Sequence, residues 1–367
     1  MKKKLSAAFI ILPAALCIAL VLFFLPRGSS APADTVSLWY ISGSCSDSAL
    51  NRLVSDYNAR AGKGAAHVSL RAFEDEAALG SAFGSGLPDL LLCSHVKAAQ
   101  LSSRSVLGSV SGVDAAWTAP VRAVSGTGDY FFPIGAAVPV LLSDASACEN
   151  AAFSSLEALT GTAQAYTAAS GKPFFAVDSY YDLFCCALSS LGAESPGSPD
   201  PGSPEYIRVY NALALCAYDG SLANTADCAG LCVAQGLLPC AVVGSSELPL
   251  LFKNGLSVSA LPLPESGRGS YYALLTGLAV IDGGRASAAS DFLRWLFAGG
   301  RALALSLDSG LVPACGGEAD SALPGWSGLL LSLRDGGLLL YPTADTCPAN
   351  SAAGFETHLR RVLDLIS

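Results

Sequence analysis

The sequence predicts an α/β protein organised as two domains, and three observations carry that reading. Past an apolar N-terminal leader the chain runs strand, helix, strand, helix, strand between residues 35 and 94, the order that builds a parallel sheet with helices on its faces. The length is 367 residues, which at roughly 100–200 residues per domain favours two domains. Apolar residues make up 51% of the chain and charged residues 14%, so a disordered polymer is excluded and there is material for one large or two ordinary cores.

Each element has a local reason. Thr35 to Ile41 is a β-rich run stopped by Ser42-Gly43-Ser44, and Ser46 to Arg60 places Leu50, Leu53, Val54 and Tyr57 at helical spacing. Ala66 to Leu70 alternates like a strand, Glu74 to Phe83 reads as a helix, and Pro88 to Cys93 is a buried strand ending at Ser94. Asp129 to Gly135 and Val138 to Ser143 are two further strands, with a crossing or hinge between them. Phe153 to Thr167, Ser179 to Leu191 and Glu205 to Tyr218 read as helices, the Pro- and Ser-rich stretch Ser195 to Pro204 being a stiffened surface loop. Ala226 to Gln235 is a short helix; Pro239 to Val243 and Leu256 to Leu261 are strands; Tyr271 to Ile281 is a strand pair turning at Thr276-Gly277. Helices from Arg285 to Phe297, Arg301 to Leu307 and Ala353 to Ile366 complete the chain, and no internal repeat is present.

The first 33 residues form a targeting segment: Lys2, Lys3 and Lys4, an apolar run from Ala7 to Pro26, then small residues ending in Ala31-Pro32-Ala33. The run exceeds the ~7–15 residues of a signal core, so the leader is either cleaved after about Ala33 or retained as an anchor. Cys17 follows Leu16 in mid-run, where a lipidation signal wants a small residue. Positive charge before the run puts everything after Asp34 outside the cytoplasm. The net charge is −9, which argues against a nucleic-acid partner, since phosphate neutralisation needs clustered Lys and Arg. Twelve cysteines are many for an exported chain, yet most sit in strand and helix patterns as small buried residues; Cys228 with Cys232 and Cys315 with Cys347 are the pairs that neighbourhood suggests.

Taken together, the segments resemble the extracellular solute-binding proteins of ATP-driven (ABC) importers, in the branch that takes sugars, oligosaccharides and glycerol-phosphate derivatives. Val36-Ser37-Leu38-Trp39-Tyr40 with the helix Ala49 to Asn58 is similar to that family's opening strand and helix, and Pro88 to Leu92 to its third strand. Phe132-Pro133-Ile134 followed by Val138 to Leu142 resembles its first crossing; Ser155-Leu156-Glu157-Ala158-Leu159 stands where the family has Trp-Glu-Glu-Leu, without the Trp. Gly244-Ser245-Ser246, Thr276 to Val280, Ala288 to Leu296 and Gly310-Leu311-Val312-Pro313 continue the series, which covers Val36 to about Pro313. The resemblance implies the type II periplasmic-binding-protein-like fold: two lobes, each a mainly parallel sheet flanked by helices, with a ligand cleft between them. It places lobe one at residues 34–135 plus 276–317 and lobe two at 136–275 plus 318–367. It implies a small-molecule solute and ABC permease subunits as partners, a monomer, and no cofactor.

A sugar or polyol needs flat faces for its C–H surface and hydroxyl-compatible donors and acceptors. The strand-end loops offer Tyr40, Ser42 and Gly43 after the first strand, Ser94 after the third, and Tyr130 before the crossing. Asp178, Tyr180 and Tyr181 open one helix, Ser245 and Ser246 another, and Tyr271, Tyr272, Thr276 and Gly277 flank the second crossing. Each has a blander reading: a Tyr near a hinge packs as often as it binds, and Ser245-Ser246 serves equally as a helix N-cap. Backbone N–H groups at that helix start would suit a phosphate as well as a hydroxyl, which keeps a polyol phosphate in view. The Tyr pairs raise a ferric-ion alternative, and a ligand-presenting sensor or structural protein of the same fold is a second. Enzyme motifs are absent: no G-x-S-x-G, H-E-x-x-H, P-loop or strand-linked G-x-G-x-x-G occurs. Ser94-His95-Val96-Lys97 fits S-x-x-K, but no K-T-G accompanies it. Glu74-Asp75-Glu76 reads as a solvated helix start.

Overall fold

The computed structural model describes residues 35–61, 66–144, 155–193, 200–224, 229–253, 258–261, 271–282, 285–317, 324–336, 338–340 and 349–366. Its strands are Thr35–Ile41 (β1), His67–Phe73 (β2), Leu90–Ser94 (β3), Phe131–Ala136 (β4), Pro139–Asp144 (β5), Phe175–Val177 (β6) and Leu222–Ala223 (β7). They continue with Cys240–Gly244 (β8), Val258–Leu261 (β9), Tyr271–Ala273 (β10), Leu275–Val280 (β11), Val312–Pro313 (β12) and Leu338–Leu340 (β13). Six make one sheet, in the order β12-β4-β11-β3-β1-β2, and five make another, β7-β6-β8-β5-β9; β10 and β13 pair separately.

The first sheet begins as expected. β1 pairs in parallel with β2 from Thr35↔His67 to Ile41↔Phe73, and with β3 at Leu38↔Leu90. Val36, Leu38 and Tyr40 alternate with Trp39 on the other face, and all four are buried because helices cover both sides. The helix Asp47–Arg60 starts where the Ser46 hydroxyl accepts the Ala49 N–H (3.3 Å), and its buried stripe is Ala49, Leu50, Leu53, Val54 and Tyr57. Beyond β3 the sheet turns mixed: β11 runs antiparallel to both β3 and β4, and β12 antiparallel to β4. The second sheet is mixed too, β5 running antiparallel to β8 and β9 while β6 is parallel to β7 and β8. The two-sheet α/β architecture is the one the sequence predicts; the antiparallel strands are those by which the chain enters or returns to a sheet.

Two crossings are described. β4 ends at Ala136 and β5 starts at Pro139, so Ala137-Val138 carries the chain from one sheet to the other. The chain re-enters the first sheet at β11, after β10 and Leu274, and the Leu275 N–H is held by Nδ1 of the fully buried His95 (3.1 Å). The expected strand pair therefore breaks at Leu274; Thr276-Gly277 lies inside β11, at a register shift against β4. A helix over His95–Ser103, β6, β7, the helix Ser327–Gly336 and β13 are additions to the sequence-derived order. Large fully buried side chains, among them Phe131, Phe132, Phe174, Phe175, Phe184 and Phe292, fill the core under both sheets.

The long tail helix, Ala349–Ile366, packs on the second sheet's side through Phe355, which meets Tyr181, Phe184 and Tyr206 edge-on at ring distances of 5.8, 5.2 and 6.3 Å. Cys315 is a buried thiol, which corrects the Cys315–Cys347 pairing; burial pushes its pKa up to about 11. Cys228 and Cys347 lie outside the described residues, as do the leader and the first half of the Pro-rich loop. Among the described residues no helix is long and apolar enough to cross a membrane.

Candidate functional site

A cavity of 410 Å³ opens between the two sheets, at the strand ends and against both crossings. From the first sheet's side it is lined by Ile41, Gly43 and Ser44 after β1, Leu92, Cys93 and Ser94 of β3, Glu76 and Leu79 of the helix Glu76–Phe83, and Thr276 of β11. From the second sheet's side come Pro139, Val242, Val243, Gly244 and Ser246, with Ser179 and Asp182 at the start of the helix Tyr180–Ser190. Ala137, Val138, Ala273 and Leu274 of the crossings close the base. A cleft lined by elements of two sheets is a common place for a small-molecule site in α/β proteins.

Of the residues singled out from sequence, Gly43, Ser94, Ser246 and Thr276 line this cavity. Ser94 and Thr276 sit side by side as a β3–β11 register pair. The Ser94 hydroxyl caps the helix His95–Ser103 by accepting the Lys97 N–H (3.2 Å), and Lys97 Nζ reaches Glu76 (3.1 Å). The S-x-x-K match is thus a helix cap beside an ion pair, with the lysine turned to a carboxylate. Gly43, at φ 85°, adopts the left-handed turn a residue with Cβ resists. Its N–H and the Ser42 hydroxyl both go to Asp47, at 3.4 and 2.8 Å, so Ser42 orders the loop from outside the cavity.

The structure places the other expected residues as follows. Tyr40 is buried in the sheet, 3% exposed. Tyr130 stands at the end of the first sheet remote from the cavity: β4 runs antiparallel to β11, pairing Phe131 with Ala279, whereas the cleft end is at Gly135 and Thr276. Its ring lies over Gly126 and its hydroxyl is 3.3 Å from that of Ser125. Tyr180 and Tyr181 are buried against the tail helix, Tyr180 under the Arg360 guanidinium (5.2 Å) and Tyr181 against Phe355. That arrangement removes one of the two tyrosine pairs behind the ferric-ion alternative. Asp178 accepts the Ala229 N–H (2.8 Å) and the Arg360 guanidinium bonds its carbonyl (2.5 Å), so it braces the helix start. Ser245 is fully buried: its hydroxyl accepts the Val138 N–H (3.1 Å) and its own N–H donates to the Val138 carbonyl (2.7 Å), locking the first crossing. Gly277 is packing: a Cβ there would come within 2.6 Å of the Phe132 carbonyl oxygen. Tyr271 and Tyr272 form β10, paired with Leu338 and Leu339 of β13.

Two carboxylates line the cavity: Glu76, which the sequence pattern assigns to a solvated helix start, and Asp182, which sequence reasoning does not single out. Asp182 is partly open to the cavity and otherwise enclosed; desolvation raises its pKa, and the Ser179 side chain only partly offsets this. Ser179-x-x-Asp182 is an N-cap followed by an acid three residues on, a pattern readable from sequence. Just behind the cavity, Glu247 accepts the Gly244 N–H (3.2 Å) while burial and the neighbouring Asp178 carboxyl push its pKa up to about 7. Cys93 on the cavity wall is a thiol raised to about 12 by burial, an unreactive neutral group at physiological pH. Among the described residues no group of three or more His, Cys, Asp or Glu could hold a metal ion.

A larger cavity, 510 Å³, lies between the helices Asp47–Arg60 and Arg301–Asp308 on the outer side of the first sheet. Among its charged groups Arg52 pairs with Asp308, and Arg301 stacks on Trp295 (4.7 Å) while donating to the Trp295 and Ala298 carbonyls. It touches neither crossing, and it reads as a groove between packed helices.

No family model matches the chain, and no curated protein matches it in sequence. Solved structures do match in fold. An ABC substrate-binding protein from Listeria monocytogenes, in complex with cycloalternan, is similar at TM-score 0.71 and 14% identity, over 91% of this chain and 94% of that one. The GacH receptor of Streptomyces glaucescens, solved unliganded and with acarbose, is similar at TM-score 0.71 and 16% identity, over 91% and 94%. The spermidine/putrescine ABC transporter substrate-binding protein PotD from Streptococcus pneumoniae is similar at TM-score 0.64 and 13% identity, over 91% and 99%. The chain thus has the mixed α/β fold, two helix-flanked sheets with a cleft between them, that ABC substrate-binding proteins also have.

Proposed function

We propose that this protein is the extracytoplasmic solute-binding component of an ATP-driven importer, capturing a carbohydrate or related polyol between two closing lobes and delivering it to a membrane permease. The observation that carries the proposal is the 410 Å³ cavity at the sheet junction, in a fold shared along nine-tenths of the chain with importer binding proteins. Residues 34–135 and 276–317 act as lobe one, 136–275 and 318–367 as lobe two, and the leader directs export. The hydroxyls of Ser44, Ser94, Ser179, Ser246 and Thr276 meet the ligand's polar edges, and Ile41, Leu79, Val242 and Leu274 its C–H surface. A ligand touching both lobes only when they are closed shifts the equilibrium toward that state. Micromolar affinity, about −8.2 kcal/mol, suffices to bias a modest open preference after ordering costs.

A phosphate-bearing ligand loses its support. Ser245 is spent on Val138, and the Glu247 carboxylate already takes the Gly244 N–H, where a phosphate would have to bind. The test is thermal-shift screening of the full-length chain in mild detergent against sugars, oligosaccharides, amino sugars, polyamines, polyol phosphates and Fe³⁺. A concentration-dependent rise in melting temperature with an organic solute is expected, because only native-state binding stabilises in this way. Silence toward every organic solute from a folded sample, or a response to Fe³⁺ alone, would overturn the reading.

A further inference from the structure

The cavity's polar lining is unbalanced in charge. Among its described lining residues are two carboxylates, Glu76 and Asp182, and no Lys, Arg or His. They come from opposite sides, Glu76 from the first sheet's side and Asp182 from the second's. Glu76 has a cation at hand, Lys97 at 3.1 Å on the same side. Asp182 has none among the described residues; its support is the Ser179 side chain and its own helix start. A largely enclosed carboxylate without a counter-charge is costly to keep, and folds retain one where something binds it.

We propose that the solute carries a protonated amine, seated on Asp182 with Glu76 lining the opposite wall, so that an amino sugar or a linear polyamine is preferred over a neutral sugar or a polyol phosphate. The inference rests on the solute-binding reading and specifies the solute's charge rather than its carbohydrate character. An ammonium donates charge-assisted hydrogen bonds to the Asp182 carboxylate that a hydroxyl cannot equal. Its remaining N–H groups and the rest of the ligand meet the Ser94, Ser246 and Thr276 hydroxyls. The shared fold imposes no conflict, since similar structures carry sugar-derived ligands in one case and are spermidine/putrescine proteins in another.

Isothermal titration of the full-length chain in detergent at pH 7.5 tests this with four probes: glucosamine, glucose, spermidine and glycerol 3-phosphate. Glucosamine or spermidine should bind at least tenfold more tightly than glucose, the stronger of the two telling amino sugar from polyamine. Asp182→Asn should erase that preference, and Glu76→Gln, at a side chain 63% exposed, should reduce it without a folding cost. Glucose binding as well as glucosamine and spermidine, or glycerol 3-phosphate binding best, would overturn the inference and leave the importer reading standing. A folded protein that binds none of these probes and none of the wider sugar panel would overturn both. The wild-type ratios decide even if Asp182→Asn fails to fold, and retained preference in a folded Asp182→Asn protein would also overturn the assignment.

Discussion

Ser245 and Ser246 are adjacent, yet the structure divides them, Ser246 exposed at the cavity and Ser245 fully buried under the first crossing. Replacing Ser245 with Ala strands the Val138 N–H, and unfolding in urea should show a loss of about 1–3 kcal/mol; an unchanged midpoint would mean the crossing is not held there. Glu247 supplies a pH dependence. Its pKa stands at about 7 against an ordinary 4.5, so the folded chain binds this proton more tightly than the unfolded one does. The stability it contributes is complete below about pH 4.5 and is lost as pH rises through about 7. Melting temperatures measured from pH 4.5 to 8 should therefore fall more steeply for the wild type than for Glu247→Gln; parallel curves would exclude Glu247 as the source. At this scale the sequence was only partly readable. The small polar residues at strand ends, Gly43, Ser94, Ser246 and Thr276, are where the pattern placed them. Tyr180 and Tyr181 pack on the tail helix instead, because an aromatic beside a turn looks the same in sequence whether it faces ligand or a helix arriving from 170 residues away.

At the scale of elements, strand and helix positions followed from periodicity, whereas strand direction did not. Tyr130 precedes β4 whichever way β4 runs, and only the antiparallel pairing with β11 puts it at the far end of the sheet. The helix His95–Ser103 escaped notice because its few apolar positions follow directly on a buried strand with no break between them. The tail helix is the clearest case of one element set by another. Glu356 accepts the Tyr181 N–H (3.0 Å) at the start of the helix Tyr180–Ser190, and Arg360 binds Glu356 (2.8 Å), the Asp178 carbonyl and the Tyr180 ring. Arg360→Ala removes all three contacts and leaves Glu356 half-buried without its cation; a loss of about 1–3 kcal/mol in denaturant unfolding is expected, and no change would make the tail a passive cover. Gly277 tests strand packing in the same way. Alanine there would press on the β4 backbone, and a cost of about 1–3 kcal/mol is expected with the ligand-binding ratios unaltered; altered ratios in a stably folded Gly277→Ala protein would return Gly277 to the binding site.

For the whole molecule the decisive property is how the two sheets are joined. The described crossing from the first sheet to the second is short, two residues between β4 and β5. Short connections permit rotation about a line through the base of the cleft while forbidding wide separation. Gly310 adds a constraint beside that line. It adopts φ 68° at the end of the helix Arg301–Asp308, and a Cβ there would come within 2.2 Å of the Ser245 carbonyl oxygen. Backbone from the first sheet's side thus rests directly on backbone from the second's, next to the Ser245–Val138 lock. On the proposed two-lobe reading, this touching main chain is the pivot about which the lobes close. Saturating solute should therefore lower the radius of gyration in small-angle scattering while circular dichroism stays constant. Gly310→Ala should hold the pivot apart, weakening solute affinity at least severalfold while Asp182 and the strand-end hydroxyls remain in place. Unchanged affinity and an equal contraction in Gly310→Ala would place the hinge elsewhere in the molecule.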